Sequence, residues 1–364
     1  MNESLRIAVA GLGSMGNPLL KRLHAEGYNV PLVFTRRELW IKNRLERSCS
    51  SPTEIGQLIE RIDPFTDEID IMFFAIPSNA DEVALIEHCL SKGIYMILMC
   101  KHALAYEYER LRAHRHMFGA NATVGGRTMI LPWLRMQHLY GRKFVMFAYL
   151  NASSNYFMHN AVEVGSPRGV FEDTRDLHLA EPGSDDFVSF INGEIGGDYP
   201  KKVSILMNDT VLGNGPYLTP DSFDPYIPLS MKDVYERTLP SRNDRYLVRI
   251  DNLGLDPQFE RGKPGSLYAE HNGFIVSGGF YDLGRGDAIS RWIKGGKANG
   301  VQIRFDGDHS SEGTVEIAGL GAGEATVGAA MNDLYQFVAA RDGTLIEASW
   351  PMRLQGARRL SKIA

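Results

Sequence analysis

The sequence predicts an α/β protein in two parts: a Rossmann-type, doubly wound parallel sheet, and an α+β part with a mainly antiparallel sheet. Two observations predict it. Strand-like and helix-like patterns alternate from residue 6 to about residue 118, which is typical of a parallel sheet covered by helices. After Gly119 several strand-like runs are separated by glycines, which favours an antiparallel sheet.

The first predicted strand and helix enclose a glycine-rich turn. Residues 7–10 are an apolar run, and Gly11, Gly13 and Gly16 then form G-x-G-x-x-G before a helix with leucines at helical spacing. Gly11 would permit the tight turn, Gly13 would let backbone approach a pyrophosphate, and Gly16 would let helix and strand pack closely. The pattern predicts dinucleotide binding at the helix N-terminus; a glycine-rich turn that binds nothing is the alternative.

The end of the second predicted strand bears on the kind of dinucleotide. Residues 30–34 are expected to form this strand, which ends at Thr35-Arg36-Arg37. NAD-binding domains usually place an acidic residue about 20 residues past the glycines, where it holds the ribose 2′-hydroxyl. Arg36 and Arg37 suit a 2′-phosphate instead. The sequence therefore favours NADP, with NAD and a merely solvated strand end as the alternatives.

The alternation continues with predicted strands at 70–77 and 94–99 and predicted helices at 80–92 and 106–116. The second of these strands stops at Cys100-Lys101. Ligands of doubly wound sheets bind at the carboxyl ends of the strands, so Lys101 is a candidate contact for cofactor or substrate. The alternative is an exposed lysine at the start of a helix.

The second half of the chain contains the predicted antiparallel sheet. A strand is predicted to run from residue 120 into a glycine turn at 125–126, and further strands are expected at 144–149, 246–251, 267–268, 273–281 and 301–305. Residues 151–156 form a polar cluster that suits either a small polar ligand or helix capping. A helix after a glycine-rich turn at 319–326 can return to the first domain. The predicted domains are 1–130 with 320–364 for the dinucleotide, and 131–319 for substrate binding and dimerisation.

Asp198 and Lys202 are four residues apart, so they share one face if the segment is helical. Pro200 is tolerated only in the first turn of a helix, which places Asp198 near the helix start. In a closed site the carboxylate could hold the lysine ready as a proton donor. On an open surface the same pair would contribute little.

Composition limits the classes of function. The chain has 364 residues with a net charge of −5, and no basic block indicates nucleic-acid binding. Cys49, Cys89 and Cys100 are too few for a disulfide scaffold and lack metal-ligand spacing, so a reducing cytoplasm and no metal site are expected. The polar opening predicts no signal peptide, and no uncharged stretch is long enough to span a membrane.

Taken in order, these segments resemble homoserine dehydrogenase from residue 7 to about residue 340. The family's motifs match residues 11–16, 100–104, 121–127, 150–156, 180–182, 196–202 and 319–323. The resemblance implies reversible reduction of aspartate 4-semialdehyde to homoserine with NADPH or NADH. It also implies a homodimer joined through the antiparallel sheet, and a chain that lacks the regulatory domain of longer members.

The resemblance also implies roles for residues. Lys202 would protonate the carbonyl oxygen as hydride arrives, Asp198 would orient that lysine, and Lys101 would assist near the nicotinamide. The residues expected to bind substrate are Glu181, which would hold its ammonium group, Ser153 and Asn151. The residues expected to contact the cofactor are Gly11, Gly13, Ser14, Met15, Gly16, Arg36, Arg37, Pro77, Lys101 and Gly323.

The chain departs from the family mainly near the substrate. Asn121 replaces a glutamate that helps bind a monovalent cation, Ala152-Ser153 replaces Gly-Thr, and Leu179 replaces a tyrosine. Extra residues at 187–192 separate Glu181 from Asp198. Because lost hydrogen-bonding groups change specificity sharply, a relative acting on another small amino- or hydroxy-aldehyde is an alternative to the parent activity. A non-catalytic NADP-binding protein is a third reading, which the retained Asp198 and Lys202 disfavour.

Overall fold

A computed structural model of the chain describes residues 5–177, 179, 184–238, 244–254, 261–282, 298–306 and 314–342. These residues form two sheets with helices around them. In the described part of the chain, no helix is both long and apolar enough to cross a membrane.

The first sheet has seven strands, which are β1 (Arg6–Ala10), β2 (Asn29–Phe34), β3 (Glu38–Ile41), β4 (Arg44–Ser48), β5 (Ile71–Phe74), β6 (Tyr95–Leu98) and β7 (Phe118–Gly119). Their order is β4-β3-β2-β1-β5-β6-β7. Five strands, β2, β1, β5, β6 and β7, run parallel, with β7 at one edge, and β3 and β4 add an antiparallel hairpin at the other edge. The predicted Rossmann-type sheet is confirmed.

The helices of this part are α1 (Gly16–Ala25), α2 (Ile55–Thr66), α3 (Asp81–Lys92), α4 (His102–Tyr106) and α5 (Tyr108–Leu111). The single helix predicted over 106–116 is wrong. The chain instead forms α4, α5 and a 3₁₀ segment, because the backbone leaves helical geometry at Glu107 (φ −114°, ψ 22°) and at His114 (φ −103°, ψ 16°).

The second sheet has six strands, which are β8 (Phe144–Tyr149), β9 (Asp244–Asp251), β10 (Leu267–His271), β11 (Phe274–Asp282), β12 (Ala298–Phe305) and β13 (Thr314–Leu320). Their order is β10-β11-β9-β8-β12-β13, with every pair antiparallel, so the predicted antiparallel sheet is confirmed. The strand predicted from residue 120 is wrong. Two 3₁₀ turns, Asn121–Thr123 and Gly126–Thr128, take its place, and the backbone N–H of Asn121 bonds to the side chain of Asp333 instead of to a neighbouring strand. The glycine turn itself is present, with a left-handed φ of +82° at Gly125.

The remaining helices are α6 (Ile130–Met136), α7 (Ala152–Val164), α8 (Pro167–Asp176), α9 (Phe187–Asn192), α10 (Tyr199–Thr210), α11 (Met231–Thr238) and α12 (Glu324–Arg341). A π-helical segment, Gly193–Asp198, joins α9 directly to α10. The late helix returns to the first sheet, where Ala330 and Met331 of α12 pack with Ile7 and Val9 of β1. The boundaries between the two domains stay a prediction.

Apolar residues cover both faces of the first sheet. Ile7 and Val9 point to the core shared with α1 and α12, whereas Ala8 and Ala10 point to the core shared with α2 and α3. All four side chains are fully buried. This burial on both faces is what a doubly wound sheet requires. Because β1, β5 and β6 run parallel, their carboxyl ends lie at a common edge.

Candidate active site

The glycine-rich turn lies at the carboxyl end of β1. Gly11 has φ +95°, and a Cβ there would lie 2.2 Å from the carbonyl oxygen of Ala75. A Cβ on Gly16 would lie 2.0 Å from the carbonyl oxygen of Gly11. Gly13 and Ser14 are exposed, with no atom within 4 Å of a Cβ built on Gly13, and Met15 precedes α1. The two buried glycines therefore fix the turn, and the exposed crest leaves room for a pyrophosphate.

The end of β2 carries a group of arginines. Arg36 is engaged with the protein: its Nη1 lies 2.9 Å from Oδ2 of Asp81, and its Nε donates to the carbonyl oxygen of Thr53 at 2.8 Å. Arg37 is exposed. A shallow pocket beside them is also lined by Arg47 of β4 and Arg61 of α2.

Arg47 and Arg61 were missed by the sequence analysis. No carboxylate of the described residues lies within ion-pair distance of Arg37, Arg47 or Arg61. These three side chains, more than Arg36, are therefore available to an anionic group. Arg47 lies on β4 of the β3–β4 hairpin, which the sequence analysis did not predict.

Lys101 lies three residues beyond β6 and directly precedes α4. Its backbone N–H donates to Oγ of Ser78 at 2.9 Å, so the segments that follow β5 and β6 are tied together. Pro77 is part of the same loop after β5. The prediction for Gly323 concerns a separate loop, where this residue precedes α12 with φ +55°.

The centre of the site is the carboxylate of Asp198, which is only 7% exposed. Nζ of Lys101 lies 3.0 Å from its Oδ1, and Nζ of Lys202 lies 2.5 Å from its Oδ2. Nδ2 of Asn151 donates to the same Oδ2 at 2.8 Å. Three segments that are distant in sequence, at residues 101, 151 and 198–202, therefore meet at one carboxylate.

The charges at this centre favour an ionised Asp198. Burial alone would raise the pKa of the carboxyl group, but the ammonium groups of Lys101 and Lys202 outweigh it and hold the pKa well below its usual value. Lys202 also donates to the carbonyl oxygen of Leu150 at 2.9 Å. The carboxylate thus keeps two cationic proton donors side by side.

Helix geometry places these groups. Asp198 directly precedes α10 and Pro200 lies in its first turn, as predicted. The i, i+4 spacing brings Lys202 onto the face of Asp198, which was also predicted. The extra residues noted in the sequence form α9, and the π-helical segment carries the chain from α9 into the site. Such π-helical segments are frequent at functional sites.

Asn151 caps α7, where its Oδ1 accepts the backbone N–H of Ser154 at 2.8 Å. Its Nδ2 also donates to the carboxylate of Glu194, a buried residue of the π-helical segment. Glu194 was missed by the sequence analysis, although its position four residues before Asp198 was an available signal. Ser153 is half-buried in the first turn of α7. Glu181 lies outside the described residues.

Asn121 stands where the resemblance places a cation-binding glutamate, and its two donor groups bind a carboxylate of the last helix. Asn121 is buried, and its backbone N–H donates to Oδ2 of Asp333 at 3.0 Å. Its side-chain amide donates to the other oxygen of Asp333. Among the described residues, no group of three metal-ligating side chains comes together.

Comparison with solved structures identifies the fold. The homoserine dehydrogenase of Thermoplasma acidophilum matches with a TM-score of 0.66 at 19% identity, over 92% of this chain and 99% of that chain. That of Thiobacillus denitrificans matches with a TM-score of 0.62 at 18% identity, over 93% of this chain and 74% of that chain. The chain has the homoserine dehydrogenase fold.

A hyperthermophilic archaeal homoserine dehydrogenase in complex with NADPH matches with a TM-score of 0.61 at 17% identity, over 92% of this chain and 98% of that chain. Residues 6–116 match the family model of the NAD-binding domain of 6-phosphogluconate dehydrogenase. No similar sequence was found among curated proteins. The resemblance to homoserine dehydrogenase predicted from the sequence is thereby confirmed at the level of the fold, and a nicotinamide dinucleotide as cofactor is supported.

Proposed function

We propose that this chain is an NADP-dependent oxidoreductase that interconverts a small aldehyde and its alcohol by hydride transfer, with aspartate 4-semialdehyde and homoserine as the first candidates. The observation that carries the proposal is the pair of ammonium groups held on Asp198 at the carboxyl edge of the first sheet. A protein that only binds a dinucleotide has no need of a buried proton donor beside that edge.

The proposed chemistry assigns a role to each member of this centre. The glycine turn after β1 would hold the reduced nicotinamide dinucleotide, which when bound would supply hydride to the carbonyl carbon and so leave negative charge on the carbonyl oxygen. Lys202 donates a proton to that oxygen, and Asp198 orients the ammonium group. Lys101 provides a second positive charge, which stabilises the developing alkoxide. In the reverse direction, Lys202 in its neutral form accepts the proton of the alcohol.

Cofactor preference follows from the arginines at the end of β2. A 2′-phosphate suits Arg37, Arg47 and Arg61, because their guanidinium groups have no carboxylate partner in the described part of the chain. Arg36, which the sequence also indicated, contributes by shaping the loop through Asp81 and Thr53. NADP is therefore proposed over NAD.

The substrate is proposed to be a small molecule with a cationic group. Glu194 supplies a buried carboxylate next to Asn151, and the resemblance assigns Glu181 the same task. Ser153 offers a hydroxyl at the start of α7. A different small amino- or hydroxy-aldehyde is the second candidate, because Leu179 is apolar and buried and Asn121 is engaged with Asp333.

We propose that the chain forms a homodimer and acts in a reducing cytoplasm. A homodimer through the second sheet is what the family resemblance implies, and light scattering of the purified chain tests it. The free thiols of Cys49, Cys89 and Cys100 suit a reducing cytoplasm.

A steady-state assay of homoserine oxidation with NADP, on the wild type and Lys202→Ala, tests the activity. Turnover that Lys202→Ala abolishes is the expected result. Equal rates for the two proteins would refute the assigned mechanism. Turnover of another small hydroxy compound, but not of homoserine, would support the diverged enzyme. Tight NADP binding without turnover of any such alcohol would indicate a binding protein instead.

A further inference from the structure

A buried carboxyl group lies beside the candidate site without a part in the proposed reaction. Glu82, in the first turn of α3, is fully buried. Its Oε2 accepts the backbone N–H of His102 at 3.0 Å. Its Oε1 has no hydrogen-bond partner in the described part of the chain. Glutamate is almost never fully buried without a specific reason.

The hydrogen bond that Glu82 accepts comes from the backbone next to Lys101. His102 is the first residue of α4, and Lys101 precedes it. The backbone of this segment is held on both sides, by Ser78 at the N–H of Lys101 and by Glu82 at the N–H of His102. The path of the backbone here sets where the Lys101 side chain starts, and its Nζ ends 3.0 Å from Asp198.

We propose that Glu82 is a positioning residue for Lys101: its carboxylate fixes the backbone at His102 and so holds the Lys101 ammonium group on Asp198. The proposal rests on the proposed function in one respect: it assumes that Lys101 and Asp198 take part in the proposed hydride-transfer reaction. The placement of the ammonium group itself can be measured without turnover.

Burial makes the ionised form of Glu82 energetically unfavourable, and neighbouring groups partly offset this effect. Burial raises its pKa to about 7, although the Cys100 thiol, the backbone N–H groups of Ala103 and His102, and the charge of Lys101 all lower it. Burial also raises the pKa of the Cys100 thiol, which therefore stays neutral. At pH 8 the bond to His102 is thus a bond to an ionised acceptor, and such bonds are roughly twice as strong as neutral ones.

The test measures the exposure of the Lys101 ammonium group directly. Trace acetylation with acetic anhydride at pH 8, read by peptide mass spectrometry, gives the labelling rates of Lys101 and Lys202 relative to the exposed Lys232. The variants are Glu82→Ala, which removes the acceptor, and Glu82→Gln, which keeps one oxygen without the charge. Glu87→Gln is the matched control, because Glu87 lies on the same helix and pairs with Arg110 at the surface.

The expected result is specific to one lysine. Glu82→Ala should raise the labelling of Lys101 by about tenfold and Glu82→Gln by about threefold, as loss of a charge-assisted hydrogen bond predicts. Lys202 should change by less than a factor of about two in each variant, because its bonds to Asp198 and Leu150 do not involve α4. The Glu87→Gln protein should match the wild type.

Other outcomes would overturn the proposal. An equal rise at Lys101 and Lys202 would mean that Glu82 has only a general structural role. If Glu82→Ala folds and its Lys101 labelling is unchanged, the positioning role is refuted. If Glu82→Ala does not fold, unchanged Lys101 labelling in Glu82→Gln refutes it instead. If the wild type oxidises homoserine, the Glu82 variants should have a lower kcat and nearly the same KM. If the wild type does not, the substrate proposal fails and the labelling still decides the role of Glu82.

Discussion

Three hydrogen-bond donors converge on the carboxylate of Asp198, and two of them carry positive charge. Each ammonium group lies within about 3 Å of the carboxylate in a place where water has little access, which is where ion pairs are strongest. Removal of the negative charge would leave Lys101 and Lys202 to repel each other. The position of the proton donor therefore depends on residue 198 more than on the lysines' own surroundings.

Asp198→Asn should lower kcat for homoserine oxidation by roughly 100- to 1,000-fold, the size expected when a proton-transfer group loses its orientation. KM should change less, because the carboxylate is directed at the lysines and not at the substrate. Steady-state kinetics measure both constants. Glu236→Gln, an exposed substitution on α11, is the control. A variant with unchanged kcat would show that the cluster is structural.

At the scale of elements, the β3–β4 hairpin brings Arg47 to the pocket at the end of β2. Arg47→Ala and Arg61→Ala should each weaken NADPH binding by about tenfold, since each removes one charged contact to phosphate, whereas NADH binding should stay within about twofold. Fluorescence titration of both dinucleotides measures this ratio. Arg44→Ala, on the same exposed strand, is the control. Equal losses for NADPH and NADH would place the 2′-phosphate elsewhere.

The β3–β4 hairpin is also a part of the first sheet that could not be predicted from the sequence. The parallel strands β1, β2, β5 and β6 were predictable because buried strands are continuous apolar runs, whereas the two-residue β7 was missed. The Asp198–Lys202 pair was predictable because residues four apart share one face of a helix. The hairpin turns at Lys42-Asn43, where both residues have positive φ without any glycine to indicate it. All residues of β4 are exposed, so no apolar alternation marks that strand. The helical spacing of Glu194 was visible, but its contact with Asn151 depends on tertiary structure.

The two parts of the molecule are also joined at the far end of α10. The side chain of Asp209 is buried there, with Oδ1 2.8 Å from Nε of Arg115 and Oδ2 2.9 Å from Nε of Arg135. Asp209→Asn should cost about 3 kcal/mol of unfolding free energy, because it leaves two partly buried arginines unpaired. Urea denaturation measures the loss. Asp224→Asn, which breaks an exposed pair with Arg261, should cost much less, because water screens that pair. Similar losses in the two variants would contradict a central role for Asp209.

At the scale of the whole molecule, Asp333 links the last helix to the loop after β7. Burial raises its pKa to about 7, against the lowering effects of the Asn121 N–H and of Arg115 and Arg135. The folded state therefore binds a proton between about pH 4 and pH 7 that the unfolded chain releases. Because the native state binds more protons in this window, stability should fall as pH rises through it, by up to about 1.4 kcal/mol per pH unit, and level off above pH 7.

Asp333→Asn should remove this contribution, because the carboxamide cannot ionise but can still accept the N–H of Asn121. The unfolding free energy of the variant, relative to that of the wild type, should therefore increase from pH 5 to pH 7.5. Urea denaturation at four or five pH values gives both curves. Asp342→Asn, just beyond the end of α12, should run parallel to the wild type. If Asp333→Asn runs parallel as well, the carboxyl group is already ionised at pH 5, and the packing of α12 on Asn121 then depends on a buried charge that the neighbouring arginines compensate.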